Sequence, residues 1–359
     1  MLKIMIAIYS FFFLTTFAFA EKKLNFAIFA ARDKSDPFFA STEAFAKAAG
    51  KNLGFNIEVF FANGDHYLMP NLVKEAIDSK KFDAFIIMNF KNSISKTVKI
   101  CEDNNVKYFI YNATFIDPHE NGLPREKLKN WLGEMIPDNE QAGYDLAKRI
   151  VAVTKYSDDR KKHFIAFSGN IADQAAIKRA NGIERFVKEN KDVELDQLVF
   201  IPNWSREIAV ERFLSVYKRY PTTKSYWAAS DNIAVGIYEE AKKNGLNIIT
   251  GSFDWSTIGL EAIKEKKIVA SVGGHFMEGA WVSIMLFDYF HGLDFYKTEG
   301  SHFRSKMGII DLQNLKKYEP ILGKKEYWEK IDFRNYSKFY NKNLVKYKFN
   351  YDSILNFKR

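Results

Sequence analysis

The feature that most constrains this fold is a rhythm: short β-branched or aromatic runs alternate with helical patterns along most of the chain. Such alternation is the mark of βα units, because parallel strands need a crossover helix between them. Leu24 to Ala30, Asn56 to Ala62, Phe82 to Met88 and Val106 to Tyr111 read as four strands, with helices opening near Pro37, Pro70 and Ser93. Pro37 and Pro70 fall at or close to a first helical turn, where the missing N–H has no intrahelical partner to lose. The polar stretch Asn112 to Pro137 breaks the rhythm and reads as a domain crossover with an insertion. A helix from Asp138 restarts it, followed by strands at His163 to Ser168, Leu198 to Ile201, Ser225 to Ala229 and Ile248 to Phe253. The last units are a strand at Ile268 to Val272, a helix at Met277 to Phe290 and a strand at Lys306 to Ile310. The expected fold class is α/β, with two doubly wound, Rossmann-like parallel-sheet lobes. Residues 24–125 with 276–305 are assigned to an N-terminal lobe, 126–275 with 306–312 to a C-terminal lobe, and 313–359 to an extension.

The ends of the chain say where it works. Lys3 precedes an apolar or weakly polar run from Ile4 to Ala20 that closes on Ala18-Phe19-Ala20, the order of a secretory signal cut before Glu21. The run is at the short end of the ~20 residues that span a bilayer, so residues 1–20 read as a signal peptide rather than an anchor. With Cys101 as the only thiol, no intrachain disulfide and no thiolate zinc site can form, and the six histidines show no paired metal-ligand spacing. Neither metal nor cofactor is expected. The chain carries a formal charge of +9, but Gln313 to Arg359 holds twelve Lys or Arg against five Asp or Glu, which leaves the body nearly balanced. Tyr336, Phe339, Tyr340, Tyr347, Phe349 and Tyr351 interleave with those cations in a pattern that superficially matches a single-strand-binding surface. Export argues against nucleic acid as a partner. The tail is expected to pack its aromatics on the body or to meet an acidic partner.

In open parallel sheets ligands sit beyond the carboxyl ends of the strands, so the residues just after each strand are the candidates. These are Asp36, Phe38 and Phe39 in the stretch Arg32 to Phe39, then Asn89, Asn112, Trp204, Ser230, Asp231, Asp254, Trp255 and His275. The mixture suits a carbohydrate: aromatic faces take the C–H side of a sugar ring, while carboxylates and amides satisfy hydroxyls that are costly to bury unpaired. Arg179 reads as structural or at the edge of the site. Enzyme chemistry finds little support. Ala30-Ala31-Arg32-Asp33 stands where a dinucleotide fold needs its glycines, and neither a phosphate loop nor a G-x-S-x-G elbow occurs. Asp36 and Asp254 are explained as well by hydroxyl recognition as by glycoside hydrolysis, which is kept as a remote alternative.

Short segments in a shared order carry a family resemblance from Leu24 to about Ile310. They are Asp36-Pro37-Phe38-Phe39, Asp138-Asn139-Glu140-Gln141-Ala142-Gly143, Arg179-Ala180-Asn181-Gly182-Ile183, Ala229-Ser230-Asp231-Asn232-Ile233-Ala234-Val235-Gly236 and Ser252-Phe253-Asp254. The sequence resembles the type I periplasmic sugar-binding proteins of the ribose-type ABC group, and within that group is similar to the periplasmic autoinducer-2 receptor. The resemblance implies two lobes on a three-strand hinge that close over a ligand, without catalysis, in a monomer of the periplasm. It implies a small-molecule, sugar-like ligand delivered to an ABC permease or, alternatively, presented to a membrane sensor. Asn112, Ala113 and Ile177 stand where ribose-type proteins carry Asp, Arg and a ligand-binding Arg. The losses at Asn112 and Ile177, with Asp36 and Asp254 retained, point to a neutral polyol, pentose, hexose or cyclic ether. Trp204 falls where the family stacks an aromatic on the sugar, Ser230 and Asp254 where it bonds hydroxyls, and His275 near the last crossover contact.

Overall fold

The computed structural model describes residues 22–117, 121–322 and 324–355. The segment read as an export signal, residues 1–20, lies outside them, and among the described residues no helix is long and apolar enough to cross a membrane.

The first lobe holds β1 (Asn25–Ala30), α1 (Pro37–Leu53), β2 (Asn56–Phe61), α2 (Leu68–Asp78), β3 (Ala84–Ile87), α3 (Ile94–Asp103), β4 (Tyr108–Tyr111) and β5 (Trp131–Pro137). The second holds α4 (Asn139–Val153), β6 (Lys162–Ser168), α5 (Gln174–Glu189), β7 (Val193–Phe200), α6 (Arg206–Arg219), β8 (Ser225–Ala228), α7 (Asp231–Lys243), β9 (Ile249–Asp254), α8 (Thr257–Lys264) and β10 (Ala270–Gly273). The chain then returns to the first lobe with α9 (Glu278–Phe290), α10 (Tyr296–Glu299) and β11 (His302–Ser305), and adds β12 (Gly308–Asp311) to the second.

Each lobe is built on a six-stranded sheet, ordered β11-β5-β4-β3-β1-β2 and β12-β10-β9-β8-β6-β7. Pairing is parallel except between β10 and β12. Both sheets thus reverse strand order beside their first strand, which opens a crevice at the carboxyl ends of β1 and β3 and of β6 and β8. The fully buried runs of β3 and β4 explain why these strands read as continuous apolar segments rather than alternating ones.

The structure corrects three boundaries. The stretch 112–137 is not all connection: Trp131–Pro137 forms β5, pairs with β4 and belongs to the first lobe, so the crossing comes at Pro137–Asp138 rather than near residue 126. Its hydrophobic residues are separated by Gly133 and Glu134, which hid the strand. Strand β11 was missed because His302-Phe303-Arg304-Ser305 lies on a sheet edge and keeps polar residues. Strand β7 begins at Val193, earlier than Leu198, and was cut short because the half-buried Glu194 and Asp196 interrupt its apolar residues.

The extension packs on the body. Helix α11 (Leu315–Leu322) lies on α8 and β12, and short 3-10 turns at Lys325–Lys330 and Phe333–Tyr336 lie on α1. Helix α12 (Tyr351–Leu355) returns to α11. Trp328 and Phe333 reach Phe45 of α1 edge-on, with ring centroids 5.4 and 5.3 Å away. The buried Asp288 of α9 accepts from Ser337 Oγ, the Lys338 and Phe339 amides and the Tyr347 hydroxyl.

Candidate functional site

A cleft with about 780 Å³ of empty space, its solvent-open mouth included, lies between the lobes. Of the eleven residues singled out by sequence, all but Trp255 line it. One wall is aromatic. Asp36 caps α1 by accepting from the amides of Phe38 and Phe39, at 3.0 and 3.3 Å, and Pro37 fixes the first turn, so the two rings are set side by side at the cleft. Their ring centroids lie 5.1 Å apart edge to face, and Phe38 packs 4.7 Å from the His275 ring. From the other lobe comes Trp204. Its indole lies so close to the end of β6 that a Cβ on Gly169 would fall 2.3 Å from Trp204 Cε2, and its Nε1 donates to Asp173 Oδ2 at 2.8 Å.

The polar groups divide into those already occupied and those left for a ligand. Asp36 spends one oxygen on its cap and pairs the other with Arg32 Nε at 2.8 Å. Asn89 donates to Thr114 O at 2.8 Å and accepts from the Ile94 amide. The Ser230 hydroxyl caps α7. Asp231, 1 % exposed, accepts from Ser252 Oγ, from Ser256 N and Oγ, and from Ser271 Oγ, so its carboxylate is the hub beneath the cleft rather than a free contact. Burial still raises it to about 6. By contrast, among the described residues no side chain hydrogen-bonds the Asp254 carboxylate, which faces the Asp231 backbone amide and lies 3.6 Å from His275 Nε2. Burial, and then the charge of Asp231, hold Asp254 well above the usual carboxylate range. The Asn112 amide is likewise without a side-chain bond, while its backbone N–H, at φ 63°, is held by Met135 O and by the buried Glu278.

Sequence reasoning missed the cleft's buried cation. Arg179, 3 % exposed, donates through Nε to Asn139 Oδ1 (2.9 Å), through Nη1 to Ala229 O (2.7 Å) and through Nη2 to His275 Nε2 (3.2 Å). Its guanidinium lies 4.2 Å from the centroid of the Phe253 ring. Desolvation lowers it to about 10. Ile177, half-buried, is not among the cleft-lining residues, so the charge argued to be lost there is supplied two residues on. The donated bond also fixes His275: Nε2 accepts, so the proton sits on Nδ1, and burial followed by the Arg179 charge keeps the ring neutral. Nδ1 is buried with no partner. The signal for Arg179 was present in the two glycines that flank the crossing of α4 and α5. A Cβ on Gly143 would meet Arg179 O at 2.1 Å and one on Gly182 would meet Glu140 O at 2.0 Å, so the helices touch backbone to backbone and carry Arg179 inward.

Across the cleft the lobes hold each other directly. The Lys91 amide of the first lobe donates to Asp173 Oδ1 at 2.8 Å, and Gln174 accepts from Thr114 N and donates to Phe115 O. Arg32 Nη1 reaches Asn203 O.

Trp255 is the exception to the predicted set. It is 3 % exposed and turned away from the cleft, with Nε1 donating to Ser271 O at 2.9 Å and its ring against Tyr318 and Tyr351 of the extension.

A profile of the periplasmic binding protein domain matches residues 26–289. The chain belongs to the periplasmic binding protein family. Its fold is that of the type I sugar-binding members. A periplasmic sugar-binding protein from Pseudomonas fluorescens superposes with a TM-score of 0.82 at 23% identity, over 92% of this chain and 99% of that one. A solute-binding protein of an ABC transporter from Actinobacillus succinogenes, with bound D-allose, gives 0.69 at 20% identity over 82% and 100%. Its counterpart from Agrobacterium vitis, bound with α-D-tagatopyranose, gives 0.71 at 17% over 82% and 96%. The sequence matches no curated protein. Family membership places this binding protein among periplasmic, ligand-binding rather than catalytic, proteins.

Proposed function

We propose that this binding protein clamps a small neutral polyhydroxylated solute of monosaccharide size between its lobes and delivers it to an ABC permease. One observation carries the reading: an aromatic wall from each lobe, Phe38 with Phe39 and Trp204, faces a buried cation and an acceptor, Arg179 and Asp254, whose hydrogen-bonding capacity the protein leaves partly unspent. Aromatic faces suit the C–H side of a pyranose or furanose ring, and Asp254 can accept from two adjacent hydroxyls. Arg179 retains N–H groups for ring or hydroxyl oxygens. A strongly anionic solute fits less well, since Asp254, Asp36 and Asp173 already share the cleft. The sugars bound by the structural neighbours are of this class. Solute contact with both lobes would select the arrangement in which the bonds of Asp173 and Gln174 form.

A receptor that presents its ligand to a membrane sensor is the second reading. It is favoured by the extension, which lies beyond the family match at residues 26–289 and covers parts of both lobes.

The test is a thermal-shift screen of residues 21–359 against aldoses, ketoses, inositols and sugar phosphates. A ligand at about a hundred times its dissociation constant stabilises by ~2.7 kcal/mol. A neutral monosaccharide hit that Trp204→Ala and Asp254→Ala both abolish supports the reading. Preference for a sugar phosphate, or a hit insensitive to both substitutions, sinks it.

A further inference from the structure

The extension does more than cover the body, because two of its rings, Tyr318 and Tyr351, reach the residue that follows Asp254 of the cleft. Asp254 and Trp255 are consecutive residues with φ of 110° and 57°, in the left-handed half of conformational space that is uncommon for non-glycine residues and strained for one as bulky as Trp. The β9–β10 pairing of Asp254 with Gly273 and the bonds of Ser256 N and Oγ to Asp231 fix the two sides of this turn, and between them the contacts on Trp255 complete it. Its Nε1 donates to Ser271 O at 2.9 Å, and its backbone N–H faces Ser271 Oγ at 3.4 Å. Two glycines paired across β10 and β12, Gly273 and Gly308, make the floor for the indole. A Cβ on Gly273 would lie 2.4 Å from Trp255 Cγ, and one on Gly308 would lie 2.9 Å from Trp255 Cη2 and 2.5 Å from Tyr351 Cζ. The remaining ring contacts come from the extension: Tyr318 of α11 at 5.3 Å and Tyr351 of α12 edge-on at 5.2 Å.

We infer that Tyr318 and Tyr351 are positioning residues for the solute site: by clamping Trp255 they hold the preceding Asp254 in its strained conformation, with its carboxylate presented to the cleft. The inference rests on the proposed role of Asp254 in solute binding. It assigns the extension a part in affinity, although none of it touches the cleft. Released from the clamp, Trp255 loses two ring contacts, and the pair of positive-φ residues relaxes toward ordinary geometry. The carboxylate, which has the Asp231 backbone amide but no side-chain bond to hold it, then leaves the position from which it accepts hydroxyls.

Two measurements test this on the whole mature chain. Crystal structures of Tyr351→Ala and Tyr318→Ala, solved without ligand, read the geometry directly. Asp254 is expected to leave φ near 110°, whereas Tyr351→Phe, which keeps the ring contact, retains it. An unchanged Asp254 in both alanine variants overturns the inference whether or not any sugar binds. Calorimetric titration with D-allose and D-tagatose reads the consequence. Tyr351→Ala is expected to weaken binding at least about tenfold, the scale of a lost hydrogen bond to a charged group. In an Asp254→Asn background the same substitution is expected to cost less than about twofold, because the two changes act through one group. Equal losses in both backgrounds overturn the positioning role, and Tyr351→Phe should restore wild-type affinity. If the wild-type protein binds neither sugar, the proposed solute class is what fails, and the crystal structures still decide the positioning of Asp254.

Discussion

Asp173 ties two things together: it fixes the Trp204 indole, and it receives the Lys91 amide from the opposite lobe, each at 2.8 Å. Only the second bond depends on lobe closure. At 8 % exposure the carboxylate is largely removed from water, and burial raises it above its ordinary value against the pull of the Trp204 and Lys91 bonds. A bond to a charged acceptor in such a setting contributes about 1.5–3 kcal/mol. Asp173→Ala removes that much from the closed form, while an open form lets water satisfy the freed amide. When the open form dominates without ligand, the whole loss enters the binding constant, a weakening of roughly ten- to 150-fold. When the closed form dominates, part of the loss appears first as opening, because apparent affinity scales with the competent fraction. Titration calorimetry with the sugar found by screening measures the first quantity, and small-angle scattering of the unliganded protein measures the second. A dissociation constant within about twofold of wild type, together with an unchanged radius of gyration, would falsify the latch.

Three further outcomes follow from the site and its surroundings. Solute affinity should fall as pH is lowered, and at a pH above the ordinary carboxylate range, because burial and the charge of Asp231 hold Asp254 well above its ordinary value and protonation removes an acceptor for hydroxyls. The opposite sign is expected for stability: Asp231, raised to about 6 by burial, favours the folded protein most below about pH 4 and loses that contribution as pH rises through about 6. Melting temperatures of wild type and Asp231→Asn across that window should therefore diverge, and parallel curves would show that Asp231 does not titrate there. Gly182→Ala places a methyl 2.0 Å from the Glu140 carbonyl, backbone that cannot swing aside, and should destabilise the second lobe by about 2 kcal/mol or more in urea unfolding. A change within ±0.5 kcal/mol, the range of ordinary surface substitutions, would mean that α4 and α5 do not touch there.

How much was legible follows from the range of each interaction. The alternation of strands and helices set the α/β class and two sheets, because periodicity and helix caps act over a few residues: Asp36, Asp138 and Ser230 each cap the helix that they precede. The same locality made the strand-end rule effective, since the carboxyl end of a parallel strand faces the crevice whatever lies around it. Ten of the eleven chosen residues line the cleft for that reason.

What the sequence by itself determined, then, is the fold class and the roster of strand-end residues that meet at the crevice. Tertiary structure alone decided how each side chain is used. Asp231 and Asp254 look alike as acidic residues near strand ends, yet three serines and a backbone amide enclose one while the other is left without a side-chain bond. Trp255 looks like a stacking residue until Gly273, Gly308 and a chain segment some sixty to a hundred residues further on are placed behind it. Arg179 looked peripheral because its approach depends on two helices meeting backbone to backbone, a fact carried by Gly143 and Gly182 together. Hydrogen-bond capacity is consumed by partners distant in sequence, so which polar atoms remain for a ligand is a property of the folded molecule.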